Sequence, residues 1–398
     1  MWASILTEWA GMILRWLHVV AGVAWIGSSF YFIHLDLSLH PNRDLPEGVY
    51  GEAWQVHGGG FYRIMKYLVA PAKMPEELTW FKWEAYTTWL SGFALMVVVY
   101  YLDAELFLVD KSNFDLTPLQ AGLFSLCSLA LAWLLYEAAC RTGLASHELP
   151  FAIGGYLFLV VLTFAFTHVL SGRGAFNQIG ALVGTIMVAN VFAVIIPNQK
   201  KIVAALLAGK SPDPKLGQTS KERSVHNNYL TLPVIALMIS NHYPLLFATR
   251  FNWLIVAILL ALGPIIRHFF NEGHAGRKSP WWVWGAAFAG MMAIGLLSAA
   301  GPRDVVKTGS LAGPTTFADV EGIVTSRCSM CHAAEPLWPG IVTAPKGILL
   351  DDSEHIRRNA RLIGRNAAWA SAMPPGNVTE ITGEERAQIA AWLADPKL

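Results

Sequence analysis

The sequence predicts an all-α protein in two parts: a bundle of eight transmembrane helices and, after it, a small helical domain. Composition is the first observation behind this prediction, since 54% of the 398 residues are hydrophobic and 14% are charged, against about 25% charged in a typical soluble domain. Distribution is the second, because the long apolar runs occupy residues 1–302 and the remainder has a soluble composition. We therefore assign 1–302 to a transmembrane domain, 303–314 to a linker and 315–398 to a second domain.

Eight apolar segments are long enough to cross the hydrocarbon core of a bilayer, which takes about 20 residues of helix. They are 9–33, 83–102, 118–140, 150–170, 175–196, 229–248, 251–270 and 281–300. The first lacks a small-residue cleavage site and is too long for a signal peptide, so we expect it to stay in the protein. Two other stretches are interpreted as surface structures: 51–71 as an interfacial or re-entrant helix, and 198–210 as an amphipathic helix on the cytoplasmic face.

The loops between the predicted spans differ in their content of basic residues. Fifteen lysines and arginines lie after the first, third, fifth and seventh spans or, for Arg267, at the end of the seventh, whereas the opposite loops contain three, Lys111, Arg173 and Arg250. The fifteen are Arg43, Arg63, Lys66, Lys73, Lys82, Arg141, Lys200, Lys201, Lys210, Lys215, Lys221, Arg223, Arg267, Arg277 and Lys278. The positive-inside rule places the basic loops in the cytoplasm. Both termini then lie on the periplasmic side of a bacterial inner membrane, with the first domain inserted in the lipid bilayer. The net charge of +1 gives no reason to expect a nucleic-acid partner.

The second domain contains the segment "SRCSMCHAAEP" at residues 326–336. Within it, Cys328, Cys331 and His332 form a C-x-x-C-H motif, which is the attachment site of a c-type haem. Two cysteines on one helical turn can bond both vinyl groups of the haem, and His332 then ligates the iron. Bacteria attach covalent haem outside the cytoplasm, which agrees with the predicted orientation. A zinc site would need further ligands, of which only His355 is nearby, and a redox dithiol would not need the histidine.

The sixth iron ligand is predicted in the segment "SAMPPGN", residues 371–377. Met373 lies 41 residues after His332, and the two prolines that follow it favour an extended loop. His355 is the alternative ligand. A capped amphipathic helix is predicted over 382–395. Together these features predict a small α-helical cytochrome c domain, similar to class I, with one covalent haem.

Six histidines lie in or near the predicted spans, where ionisable groups are costly and usually functional. Three lie in the periplasmic half: His18, His168 and His242. Three lie on the cytoplasmic side: His57, His226 and His268. Two imidazoles from different helices can hold a b-type haem. The first group therefore predicts one such haem, and the second group predicts either another haem or a polar substrate site. The alternative for each histidine is a hydrogen bond between helices. Four others are interpreted as interfacial: His34, His40, His147 and His274.

The architecture and two stretches of sequence resemble a known family. The chain has "LRWLHVVAGVAWIGSSFYF" in the first span and "HNNYLTLPVIALMISNHYP" in the sixth, and the C-x-x-C-H domain follows the last span. Over its whole length it resembles the bacterial membrane-bound urate hydroxylases, also called urate oxidases. The first stretch alone is also similar to haem-binding membrane oxidoreductases of the protoporphyrinogen oxidase type.

The resemblance implies an oxidoreductase that converts urate to 5-hydroxyisourate without hydrogen peroxide and passes the electrons through haem to the respiratory cytochrome c pool. Its partners would be urate, the lipid bilayer, and a soluble or membrane cytochrome c or terminal oxidase. Urate is an anionic purine, so its pocket needs cationic or hydrogen-bonding groups. The candidates are Arg63, Asn177, Gln178, Asn227 and Asn228. Arg63 is equally explained as a basic residue at the membrane surface.

No catalytic residue is predicted. Two other functions stay open on the residues alone. One is a quinol-linked membrane cytochrome that conducts electrons without an organic substrate of its own. The other is a membrane protein that handles haem or copper.

Overall fold

The structure, a computed structural model, describes residues 2–67, 71, 74–303 and 315–394. Apart from Arg303, the predicted linker at 303–314 lies outside the described residues. Most of the described chain is helical, as the sequence predicts. The α-helices up to residue 303 are α1 (Trp2–Leu37), α2 (Trp83–Met96), α3 (Ala104–Phe107), α4 (Pro118–Arg141), α5 (Glu148–Val169), α6 (Gly172–Ala189), α7 (Ile196–Leu207), α8 (Pro214–Ser240), α9 (Pro244–Phe247), α10 (Asn252–His274) and α11 (Trp282–Ser298).

Helices occupy most of each predicted span. Among the described residues, five helical segments are both long and apolar enough to cross a membrane: Ile5–Leu37, Pro118–Arg141, Glu148–Val169, Gly172–Leu207 and Asn252–His274. The shorter α11 is also apolar. A π-helical turn extends α2 to Tyr101, whereas α8 ends at Ser240, earlier than predicted, and begins in a polar segment. Several long apolar helices are thus confirmed, and the full count of eight crossings stays a prediction.

Capping residues set the starts of three of these helices. The Thr117 side chain and Gln120 form a capping box at the start of α4. The Ser171 hydroxyl accepts a hydrogen bond from a backbone N–H in the first turn of α6. Asp213 does the same for α8, where Pro214 takes the first helical position. These caps satisfy N–H groups that have no partner within the helix.

Large apolar side chains fill the centre of the bundle, among them Phe166, Phe176, Ile179, Leu237 and Ile255. The outward faces are apolar as well, and Leu296 of α11, for example, is 72% exposed. A protein surrounded by water rarely exposes large contiguous apolar surfaces. The exposed faces therefore fit contact with lipid chains.

The helices α8 and α10 approach each other closely. Pro233 of α8 lies against Gly263 of α10, and a Cβ atom at Gly263 would overlap the proline ring. Glycine permits this approach because it has no side chain. One to two turns away, Asn228 of α8 accepts a hydrogen bond from Arg267 Nε of α10 at 3.0 Å. The close packing therefore holds two buried polar side chains against each other.

Residues 51–71 were predicted to form an interfacial or re-entrant helix, and this prediction is wrong. The chain forms an antiparallel hairpin of β1 (Val49–His57) and β2 (Gly60–Tyr67). Gly58 and Gly59, at the turn, have φ angles of +59° and +81°, a region that glycine adopts without steric cost. Side chains on a strand alternate between two faces. The apolar residues of this segment are therefore divided between the two faces of the hairpin and do not form one face of a helix.

The predicted amphipathic helix at 198–210 is not a separate element. The π-helical turn Asn190–Ile195 joins α6 to α7, and the helix continues without interruption from Gly172 to Leu207. The end of this helix packs against α8. The helix of the fifth predicted span therefore continues past its apolar part and includes the lysines at 200 and 201.

The tail, residues 315–394, contains α12 (Phe317–Arg327), α13 (Ser329–His332), α14 (Ser353–Arg358), α15 (Ala360–Ile363) and α16 (Gly383–Leu393). Its small core is formed by Val320, Val324, Ile356, Ile389 and Trp392. The capped helix predicted at 382–395 is confirmed as α16, which begins with a capping box of Thr382 and Glu385. Glu385 also binds Arg327, the last residue of α12, at 3.0 Å. This ion pair joins the first and last helices of the tail.

Candidate functional site

A cavity of about 920 Å³ lies between the bundle and the tail. The bundle contributes the ends of several helices, including residues before α4, at the α5–α6 junction and after α8. The tail contributes the C-x-x-C-H segment and the loop around Met373. The cavity thus brings together Cys328, Cys331, His332 and Met373, which the sequence predicts as haem-binding residues.

The C-x-x-C-H residues form a single helical turn. The carbonyl oxygen of Cys328 accepts hydrogen bonds from the backbone N–H groups of Cys331, at 3.2 Å, and His332, at 3.0 Å. Neither cysteine forms a disulfide, and both line the cavity. Burial raises the pKa of the Cys328 thiol to about 12 and also raises the pKa of Cys331. Reactive dithiols instead have lowered thiol pKa values, so this environment does not fit a redox dithiol.

His332 is held in one orientation. Its Nδ1 atom lies 2.9 Å from the carbonyl oxygen of Ile348, which can only accept, so Nδ1 carries the proton. The Nε2 atom then has its lone pair free for a metal ion, the arrangement usual for ligating histidines. The carbonyl oxygen of His332 accepts a hydrogen bond from Leu350 at 2.7 Å, which fixes the backbone as well.

Met373 lies on the cavity wall in a loop that several hydrogen bonds hold. Its backbone N–H donates to Asn366 at 2.9 Å, and its carbonyl oxygen accepts from Arg386 Nη1 at 3.0 Å. The same Arg386 nitrogen donates to the carbonyl of Ala367. Met373 is 38% exposed, so the protein leaves part of this side chain uncovered beside the cavity.

His355, the alternative ligand, has a different environment. Its Nδ1 atom lies 3.0 Å from Asp351 and 2.9 Å from Asp352, near the surface of the tail. It is not among the residues that line the cavity. Of the two sixth ligands considered from the sequence, the geometry therefore favours Met373.

The cavity wall is strongly basic. Six lysine and arginine residues line it, against one carboxylate, that of Asp110. The basic residues are Arg173, Arg303, Arg327, Lys346, Arg365 and Arg386. Cations in such a partly buried site favour anionic groups, and haem has two carboxylates. The sequence did not predict this wall, because residues from distant segments meet only when the tail packs against the bundle.

The histidines predicted to lie in the periplasmic half, His18, His168 and His242, are only partly brought together. His168 and His242 both line the cavity. The His168 ring packs on Phe164 and its Nδ1 lies 2.6 Å from that residue's carbonyl. His18 is not on the cavity wall. It lies between α1 and α2, with Nδ1 2.9 Å from the Thr88 carbonyl oxygen and its ring against Gly92.

The histidines predicted to lie on the cytoplasmic side, His57, His226 and His268, have three separate environments. His226 contacts the hydroxyl of Tyr136 at 2.8 Å and stacks on Phe151. His268 lies 3.2 Å from the hydroxyl of Tyr229. His57 is exposed at the end of β1. These contacts are those of hydrogen-bonded histidines between helices and of a surface residue.

The polar residues proposed for a substrate pocket are also distributed. The Gln178 amide bonds to Ser125 and Ser128. Asn227 is satisfied by Asn190 and by the backbone. Arg63 pairs with Glu52 within the hairpin at 2.5 Å, and Asn177 is half-buried one position before Gln178. Asn228 differs, because it contacts Arg267, a residue that the sequence analysis counted among the loop cations.

The N-terminal part of the chain matches a known family model. The model is described as urate oxidase N-terminal, and it matches residues 4–298. Comparisons of the chain with curated proteins and with solved structures give no match. The matched residues end before the tail, so the family model covers the bundle and one side of the cavity.

Proposed function

Because the chain belongs to the urate oxidase N-terminal family, we propose that it oxidises urate in the membrane and delivers the electrons to a cytochrome c outside the cytoplasm. Family membership makes it a urate-related, oxidoreductase-like protein. The observation that supports the rest is the cavity between the tail and the bundle, where Cys328, Cys331, His332 and Met373 lie beside a basic wall to which both parts contribute.

The tail is proposed to be the cytochrome c domain, at 315–398. Cys328 and Cys331 would hold one haem covalently, while His332 Nε2 and Met373 would be its axial ligands. The basic wall would neutralise its carboxylates. When bound, this haem supplies a group that accepts and donates one electron at a time. The free Nε2 of His332, the neutral thiols and the arginines all fit it.

The proposed reaction consumes one water for each urate. Two electrons and two protons leave the purine, and the oxygen of water is added at C5 to give 5-hydroxyisourate. Two equivalents of a soluble or membrane cytochrome c, or of a terminal oxidase, take up the electrons. Oxygen is then not reduced at the site, so no hydrogen peroxide forms.

The proposed placement is the bacterial inner membrane, with residues 1–302 in the bilayer and the tail in the periplasm. The distribution of basic residues supports it. Arg223 and Arg267 entered that count as loop residues, but both are buried within α8 and α10. Without these two, thirteen basic residues remain in the loops predicted to be cytoplasmic against three in the opposite loops, so the bias persists.

A b-type haem in the bundle is a further part of the proposal. Its ligands would come from His18, His168 and His242, of which the last two line the cavity. The other three histidines do not support another haem, because His226 and His268 contact different tyrosines and His57 is exposed at the end of β1.

The proposed function is tested by stoichiometry. Purified full-length protein is mixed with urate and oxidised cytochrome c, and three quantities are measured: urate consumed, cytochrome c reduced and peroxide formed. The proposal expects two cytochrome c molecules reduced for each urate and no peroxide. Peroxide in equal amount to the urate consumed would contradict it. A conduit that needs another catalytic chain would consume no urate.

A further inference from the structure

A cluster of buried polar residues around Arg267 lies at the end of the bundle opposite the cavity. Asn252, the first residue of α10, lines the cavity, whereas Arg267 lies 15 residues further along the same helix, about 22 Å away. Arg267 is 4% exposed. The cluster around it is formed where α1, α8 and α10 meet, at the end that the basic loops mark as cytoplasmic.

Arg267 is a buried cation without a carboxylate partner among the described residues. Its Nε donates to Oδ1 of Asn228 at 3.0 Å, and its guanidinium lies 3.8 Å from the ring centroid of Phe30. Its Nη2 atom is buried without a hydrogen-bond partner. The equally buried Arg223 instead binds Glu137 at 2.8 Å. Since a buried unpaired charge is costly, the Arg267 site favours an anion.

Other unsatisfied polar atoms surround this guanidinium. Asn228 Nδ2, which is a donor, and Asn271 Oδ1, which is an acceptor, are both buried without partners. The two amides are fixed relative to each other, because Asn271 Nδ2 donates to Asn228 Oδ1 at 3.0 Å. Most buried polar groups in proteins have a partner. Three side-chain atoms without a partner, Arg267 Nη2, Asn228 Nδ2 and Asn271 Oδ1, lie on two adjacent helices and are available to a ligand.

Two histidines complete the cluster. The rings of His34, on α1, and His274, at the end of α10, lie 4.4 Å apart between centroids. The Nδ1 atom of each is buried without a hydrogen-bond partner. Arg267 is close enough to His274 for their charges to interact. The cluster thus presents a cation, a donor, an acceptor and two imidazole nitrogens.

A basic rim lies next to this cluster. Asp36, two residues after His34, forms ion pairs with Lys66 of β2 and with Lys221 of α8. The hairpin also reaches α1 through a hydrogen bond between Tyr31 and Gln55 at 2.8 Å. Two lysines against one carboxylate leave net positive charge at this end, which raises the local concentration of anions.

We propose that the Arg267 cluster binds the urate monoanion. This inference rests on the proposed function, because it assumes that urate is the substrate. Urate presents carbonyl oxygens, which would accept from Arg267 Nη2 and Asn228 Nδ2, and ring N–H groups, which would donate to Asn271 Oδ1. Arg267 neutralises the charge. The imidazoles of His34 and His274 are placed to accept a ring proton. In the alternative, ordered water satisfies the same atoms.

Direct binding tests the proposal without turnover. The solubilised full-length protein is first reduced with dithionite, so that urate is bound but not oxidised, and labelled urate is measured by equilibrium dialysis. Arg267→Gln removes the charge and should weaken binding roughly ten- to hundredfold. Arg267→Lys keeps the charge and should weaken it less, which provides a second variant if the first does not fold. Arg223→Gln is the matched control and should change binding less than about twofold.

The possible results distinguish a failure of the proposed binding site from a failure of the proposed urate oxidation. Loss of affinity in the Arg267 variants with retention in the Arg223 variant supports the site. Unchanged affinity in both Arg267 variants overturns it and leaves the proposed urate oxidation untouched. If the wild-type protein neither binds nor consumes urate, the proposed function fails, and this inference fails with it.

Discussion

The backbone N–H of Ser371 donates to the carbonyl oxygen of Ala248, with an N···O distance of 3.0 Å. Ser371 belongs to the loop that carries Met373, and Ala248 follows α9 in the bundle. The same loop continues to Gly376, which packs against the backbone carbonyls of Glu105 and Val109. The loop that would supply an axial ligand is therefore attached directly to the bundle, and the cavity lies between two parts that contact each other.

Gly376→Ala should disturb this contact. An added Cβ would overlap the Val109 carbonyl oxygen, and overpacking of this kind costs typically about 1–3 kcal/mol. We expect about tenfold slower reduction of external cytochrome c by urate, with the covalent haem retained. Gly340→Ala is the matched control, because Gly340 also has positive φ but nothing within 4 Å of its Cβ position. Equal rates for the two variants would show that the contact with the bundle is irrelevant to turnover.

The double substitution Cys328→Ala with Cys331→Ala should abolish covalent haem. No thiol then remains on α13 to form a thioether bond. Haem staining of the denatured protein should disappear and urate-dependent reduction of cytochrome c should stop, while the bundle remains in the membrane. Cys127→Ala with Cys140→Ala is the control, since both of these cysteines lie in α4. Turnover at the wild-type rate without covalent haem would remove the tail from the electron path.

Met373→Ala should leave the haem attached and lower its reduction potential. Methionine ligation raises the potential of a haem. A fall on the order of 0.1 V lies within the roughly 0.8 V range that axial ligands span. Redox titration of the absorption spectrum measures it. His355→Ala should have no effect, because Asp351 and Asp352 hold His355 away from the cavity. The opposite result would exchange the roles of these two residues.

A pyridine haemochrome spectrum should show b-type haem in addition to one c-type haem per chain. Arg267 and the cavity are separated by about 22 Å along α10, too far for rapid transfer in a single step, so a carrier between them is needed. Substitution of His168 or His242, the two of the candidate ligands that line the cavity, by alanine should remove the b-type signal and leave the c-type signal. A wild-type spectrum with c-type haem alone would exclude this carrier.

Most of the helices could be predicted from the sequence, because apolar runs of spanning length have few other solutions. The hairpin at 49–67 was missed for a physical reason. The number of apolar residues in this segment suggests a helix at the membrane surface. The glycines at 58 and 59 instead permit a turn between two strands, and side chains on each strand alternate between faces.

The proposed haem-binding residues of the tail were predictable as far as local spacing determines them. Cys328, Cys331 and His332 are adjacent on one turn, whereas the choice between Met373 and His355 depended on how the loop packs. Arg386 was not predicted, since a charged residue in an amphipathic helix is usually exposed. Its burial depends on carbonyl groups of another segment. Arg267 was counted as a loop cation for the same reason.

In the proposed function, urate alone supplies electrons to the covalent haem of the tail. Purified wild-type protein, oxidised and kept free of oxygen and of external cytochrome c, is titrated with urate while the haem absorbance is recorded. We expect the c-type band to become reduced as urate is added, and the Cys328→Ala, Cys331→Ala variant to show no such band. A haem that dithionite reduces but urate does not would show that urate does not supply electrons to the tail.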